Sequence, residues 1–175
     1  MKTLLARAAA LTAALLLPLA TVPASTATAQ AQTLPGWTTT NSSWTNPRAT
    51  QPMVTNLRYA THAGFDRVVI SIDGRIPSWR ATYQRHFVYD ASGAPVPIRG
   101  GIQLVLMARA HDLAGHNVYR GPRLVRPGFD ALKAIALTGD FEGHVTFAFG
   151  LDPQHTPYRI FRLSSPQRLV IDFKH

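Results

Sequence analysis

The feature that most constrains the fold is an alternation in the last third of the chain, Gly139 to Phe173. Val145, Phe147 and Phe149 alternate with His144, Thr146 and Ala148. Leu169, Ile171 and Phe173 alternate with Arg168, Val170 and Asp172. Between them, Tyr158 to Leu163 follows a turn rich in Asp, Pro and Gln. A period of two puts one set of side chains on a buried face and the other on the opposite face. The stretch therefore predicts three consecutive β-strands.

The pattern has an echo upstream. A shift of 79 residues lays Gly64 on Gly143, Val68 on Phe147, Ile70 on Phe149 and Ile72 on Leu151. It also lays Asp73 on Asp152, Trp79 on Tyr158 and Arg80 on Arg159. Each copy is an alternating strand, an Asp-containing turn, then a strand opening on an aromatic–Arg pair. Two copies at so long a period exclude a solenoid and predict one domain of two related β layers.

The rest of the chain fits that plan. Strands are expected at Pro52 to Thr61, Phe65 to Asp73, Trp79 to Val88 and Ile102 to Ala108, with turns at Ala63-Gly64 and Asp73-Gly74. Asp90 to Gly101, with Pro95 and Pro97, reads as a loop. Phe129 to Thr138 has helix formers in a strand context and is taken as a strand. Asp140 and Glu142, the one close acidic pair, are taken as turn residues around Phe141. The expected fold is all-β: a sandwich of two similar antiparallel sheets, about eight strands, with a pseudo-twofold internal repeat.

The N-terminus reads differently. Lys2 and Arg7 precede a nearly unbroken Ala/Leu run from Ala8 to Ala20, and Ala27-Thr28-Ala29 and Ala29-Gln30-Ala31 offer small-x-small cleavage sites. This predicts a secretory signal peptide over 1–31, used by the general secretory route. The apolar run of 13 residues is short of the roughly 20 that span a bilayer, so no transmembrane segment is expected in the mature form. Residues 32–51, rich in Thr, Ser, Asn and Pro, read as a flexible tether in which Trp37 and Trp44 stand out. The domain is expected over 52–174. It has no cysteine, so its core must hold without disulfides, and thiol catalysis is excluded.

Charge points to the partner. The net charge is +9, and removing Lys2 and Arg7 leaves 16 basic residues against 9 acidic ones. An exported basic domain is drawn to polyanions: wall polymers, phospholipid head groups or free nucleic acid, the last disfavoured as a main partner by export. Arg forks hold carboxylates and phosphates at two points.

Catalytic signatures are missing. There is no H-E-x-x-H and no G-x-S-x-G, and no Gly-rich phosphate loop precedes a helix. No cofactor and no metal is expected. Residues 109–128 have no clean periodicity and carry Arg109, Arg120, Arg123 and Arg126 with His111, Asp112 and His116. A structureless run of that length is more often functional or mobile.

G-F-D-R-V-V at Gly64–Val69, A-H-D at Ala110–Asp112, G-D-F-E-G at Gly139–Gly143 and P-Q-R-L-V-I-D-F at Pro166–Phe173 resemble the AMIN-like domain of exported actinobacterial proteins, over most of Met53 to Phe173. The resemblance implies a β-sandwich of two similar sheets and a module that associates with peptidoglycan, without the amidase chemistry of the cell-wall enzymes whose AMIN domain gives the family its name. It supplies no ligand residues.

The leading expectation is a secreted, non-catalytic cell-envelope module for peptidoglycan or another anionic wall polymer. The candidate ligand contacts are Arg80 and Arg159, with Trp79 and Tyr158 beside them, and Arg120, Arg123 and Arg126. Two alternatives stand: an enzyme of unrecognised type acting from the 109–128 loop through His111 and Asp112, and a carrier of an apolar ligand between the sheets.

Overall fold

A computed structural model describes residues 33–175; the expected signal peptide lies outside them. Ten strands form two antiparallel sheets, and no helix is present among the described residues. They are β1 (Ser42–Trp44), β2 (Met53–His62), β3 (Phe65–Asp73), β4 (Trp79–Gln84), β5 (Gly101–Leu106), β6 (Leu124–Val125), β7 (Leu132–Phe141), β8 (His144–Leu151), β9 (Tyr158–Leu163) and β10 (Arg168–Lys174). The six-stranded sheet runs β1-β4-β5-β8-β7-β6 and the four-stranded sheet β2-β3-β10-β9.

The 79-residue echo is written into this topology, though neither sheet is one copy. The hairpin β2–β3 lies in the four-stranded sheet, and Gly74–Ser78 then carries the chain across to β4 and β5 in the other. The hairpin β7–β8 lies in the six-stranded sheet, and Asp152–Pro157 carries the chain back to β9 and β10. Each sheet thus takes a hairpin from one half and a strand pair from the other. The hairpin turns match as well: Gly64 and Gly143 have φ of 80° and 76°, a backbone that only glycine adopts without cost. Glu142 joins Gly143 at positive φ, 47°, so the second turn is the tight two-residue kind that fits strand twist. Asp140 therefore belongs to β7, not to the turn.

The two strands beyond the expected eight come from segments read as irregular. β1 lies within the expected tether and pairs with β4, Trp44 opposite Trp79. β6 lies in the 109–128 run and pairs with β7. In both cases sheet edges supply the order that local pattern lacks.

The core lies between the sheets. Val68, Ile70, Ile102, Leu104, Phe147, Phe149, Leu169, Ile171 and Phe173 are all fully buried. Phe149 packs against Phe147 and Phe173 at centroid distances of 6.3 and 5.5 Å. Each such side chain contributes roughly 1.5–3 kcal/mol. The apolar-ligand carrier needed open space here, and these rings occupy it. One carboxylate is buried with them. Asp66 accepts the backbone N–H of Ala131 and of Leu132, both at 2.9 Å, tying β3 to the start of β7. His175 Nε2 lies 3.4 Å from its other oxygen.

Candidate functional site

The outer faces of the two sheets differ. On the six-stranded sheet, Arg85–Gly100 folds back over the strands, and Phe87 and Val96 pack on Ala136 and Ala148 with Tyr89 and Ile98 alongside. No such cover lies on the four-stranded sheet among the described residues. Its outer face is set by register. One cross-strand row reads Ala60, Arg67, Asp172, Arg159. The next reads Arg58, Val69, Val170, Phe161, and the next Asn56, Ser71, Arg168, Leu163. Lys174 stands opposite Phe65 at the far end. Five cations share this face with one carboxylate.

That carboxylate organises the site. Asp172 is fully buried and takes two hydrogen bonds from Arg67, Nε to Oδ1 at 2.6 Å and Nη2 to Oδ2 at 2.8 Å. Arg159 donates from Nε to Oδ2 at 2.8 Å, and its Nη2 lies 2.8 Å from the same oxygen as an ion pair. Hydrogen bonding to Asp172 holds the Arg67 guanidinium above its ordinary pKa. A two-point contact of this kind fixes the planes of both guanidiniums.

Aromatic rings then fill the gaps between them. Arg159 lies over Trp37 (4.3 Å) and Phe65 (5.5 Å); Arg67 lies over Phe65 (4.9 Å) and Phe161 (5.4 Å). Ring and cation alternate from Trp37 to Phe161, and each contact is worth about 0.5–1 kcal/mol where water reaches it. Trp37 is held there by its neighbour: Thr38 and Tyr158 exchange backbone hydrogen bonds at 2.8 and 2.9 Å. Chemically, the face offers unspent guanidinium N–H groups, three further cations and ring edges. That combination suits an extended ligand bearing carboxylates or phosphates.

The candidate residues named from sequence scatter over the molecule. Arg159 is in the site. Arg80, its equivalent in the repeat, points out from the other sheet and lines a cavity of about 330 Å³ with Trp79, Trp44, Met107 and His144. Tyr158 is fully buried; its hydroxyl donates to Thr40 O at 2.8 Å and lies 2.7 Å from Ser42 Oγ. Burial pushes its pKa up, and it offers a ligand no surface. Trp79 packs on the core with its indole N–H buried. The three loop arginines meet different parts of the fold. The backbone of Arg120 bonds Thr55, Arg123 lines a cavity with Asp90 and Asp140, and Arg126 donates to Pro97 O at 2.7 Å.

Sequence reasoning missed Arg67, Asp172 and Trp37 as a unit. The available signal was an acid at an outward position of a strand, flanked by arginines on strands that later prove adjacent. In the 109–128 run, His111 and Asp112 bond to different partners. His111 Nδ1 bonds Asp140 Oδ2 at 2.9 Å. Asp112 instead accepts from the backbone N–H of His116 and Ala114, and the His116 bond is the main reason its carboxyl is held below the ordinary range. No cluster of three metal-ligating side chains occurs among the described residues, and no helix there is long and apolar enough to cross a membrane.

A two-layer β-sandwich with one face closed by its own loop and the other left open and cationic has the build of a binding module. The chain belongs to the AMIN-like domain family, whose model matches residues 52–175. Such domains are cell-wall-related binding modules, typically non-catalytic. No curated protein and no solved structure matches the chain.

Proposed function

We propose that the protein is a secreted, non-catalytic module that holds anionic wall polymer, peptidoglycan above all, on the outer face of the four-stranded sheet. The observation that carries this reading is the uncovered row of Arg67, Asp172 and Arg159 with Trp37 and Phe65 between the guanidiniums. Asp172 spends two cations in fixing the geometry. Arg58, Arg168 and Lys174 around them remain to meet ligand charge, while an exposed ring edge meets a sugar. Exposed ionic contacts are worth about 0.2–1 kcal/mol each, so retention on a repeating polymer comes from many weak contacts at once.

Sedimentation with purified wall sacculi tests it. The protein should pellet at low salt and be released as salt screens the contacts. Arg58→Gln/Arg168→Gln/Lys174→Gln should weaken binding about tenfold, the sum of three such contacts. Trp37→Ala should weaken binding as well, because Arg159 loses the ring that holds it in place. A protein that stays in solution at low salt, or a triple variant that pellets like the parent, overturns the reading.

A further inference from the structure

The loop that closes the six-stranded sheet leaves a cleft at its edge. Arg85–Gly100 forms one side and Asp152–Gln154 of the β8–β9 link the other of an open, shallow cleft of about 620 Å³. Its floor is tightly built. A Cβ on Gly100 would meet Gln154 Nε2 at 2.1 Å and Arg85 O at 2.5 Å. Gln154 Nε2 donates to Gln84 O at 2.8 Å, and Leu151 N–H donates to Gly100 O at 3.0 Å.

The lining divides by chemistry. Val96, Pro97, Ile98 and Leu151 give it an apolar side. Arg85 and Arg99 give it a cationic one with His86 beside them, and all three are exposed. Against these stands one carboxylate, Asp152, which takes a hydrogen bond from Arg99 at 2.9 Å while both side chains remain open to solvent, at 70% and 47% exposure.

We propose that this cleft is a second binding site, separate from the sheet face, for a small phosphate monoester carrying an apolar or ring-shaped body. Guanidinium forks match the spacing of phosphate oxygens. Arg85 and Arg99 outnumber the one carboxylate, which leaves the cleft net positive. A phosphate dianion competes with Asp152 for Arg99 and takes Arg85 as well, while the Val96–Ile98 wall covers the body of the ligand. None of the residues that carry the sheet-face reading takes part.

The test is an NMR titration of the protein with phenyl phosphate, inorganic phosphate and phenol. Phenyl phosphate should give saturable shifts at the amides of Arg85, His86, Ile98 to Gly100 and Gln154, at least tenfold tighter than inorganic phosphate. Phenol alone should give none. Arg85→Gln/Arg99→Gln should weaken binding at least tenfold. Arg48→Gln/Arg75→Gln, which removes the same charge from exposed positions outside the cleft, should not. Asp152→Asn should tighten binding, because it releases Arg99. Trp37→Ala should leave it unchanged, so this site and the sheet face can fail independently. Shifts that never saturate, shifts spread over the basic sheet face, or equal losses in the two double variants would overturn the proposal.

Discussion

The two outer faces descend from one pattern and have been put to opposite uses. Laying the strand order β2-β3-β10-β9 on β7-β8-β5-β4, the row Ala60, Arg67, Asp172, Arg159 corresponds by register to Gly139, Thr146, Val105, Arg80. The row Arg58, Val69, Val170, Phe161 corresponds to Ala136, Ala148, Gln103, Thr82. The row Asn56, Ser71, Arg168, Leu163 corresponds to Ala134, Gly150, Gly101, Gln84. Where the rows of one face carry four arginines and Phe161, half the positions in the matching rows of the other are alanine or glycine. Short side chains let backbone approach, and a Cβ on Gly150 would already press on Arg99 O at 3.2 Å. The six-stranded sheet is therefore closed by its own loop, while the four-stranded sheet packs Arg67 and Arg159 among its own rings and leaves Arg58 and Lys174 to solvent.

The largest expected effect removes the anchor of the open face. Asp172→Ala leaves Arg67 and Arg159 side by side with no carboxylate between them. Breaking a buried ion pair costs about 3–5 kcal/mol. Both guanidiniums reach some water, at 28% and 13% exposure, which places the expected loss at about 3 kcal/mol, the low end of that range. A denaturant titration reads it as a lower midpoint at unchanged slope. An unchanged midpoint would mean that the stack is decoration on a sheet that stands without it.

The closed face gives a smaller effect by a different mechanism. Ala148 is fully buried beneath Phe87 and Val96. Ala148→Leu inserts volume where the loop lies down, and overpacking costs about 1–3 kcal/mol. The thermal midpoint should fall, and the amide of Val96, which bonds across the loop, should exchange faster. Val96 N–H donates to Phe87 O at 2.9 Å, so its amide is the direct probe. If it stays protected while the protein loses stability, the strain is going into the core and the loop is not held by the small residues.

Much of this was legible in the sequence. Alternation at Val145–Phe149 and Leu169–Phe173 gave strands and their buried faces, and the shift from Gly64 to Gly143 gave the repeat, because both follow from local periodicity. The site was not legible in the same way. Arg67, Arg159 and Asp172 lie on three strands that meet only when β10 inserts between β3 and β9, and no local pattern records which strand that is. The expected kinship of Arg80 and Arg159 was sound as repeat positions. It failed as a shared surface because the chain changes sheets between β3 and β4 and again between β8 and β9, so equivalent residues face opposite ways. Trp37 stood out from the expected tether, but its place, like the strand β1, was not legible for a related reason: their order comes from Tyr158 and from the edge of β4, not from their own composition.

The smallest expected effect sharpens the contrast most. Arg58 and Lys174 are exposed, and Arg168 is half-buried with a single long bond, Nε to Pro166 O at 3.2 Å. If the outward cations of the open face serve a ligand and not the fold, Arg58→Gln/Arg168→Gln/Lys174→Gln should shift stability by no more than about 0.5 kcal/mol per site. Removing three like charges from one face even relieves some repulsion, so the change should lean toward stabilisation at low salt and vanish as salt rises. Denaturant midpoints of the triple variant and its parent, compared at two salt concentrations, measure this. A loss of 2 kcal/mol or more, well beyond about 0.5 kcal/mol per site, would show that these side chains hold the sheet together. The open face would then be a structural surface, and weaker sedimentation with wall material would reflect unfolding.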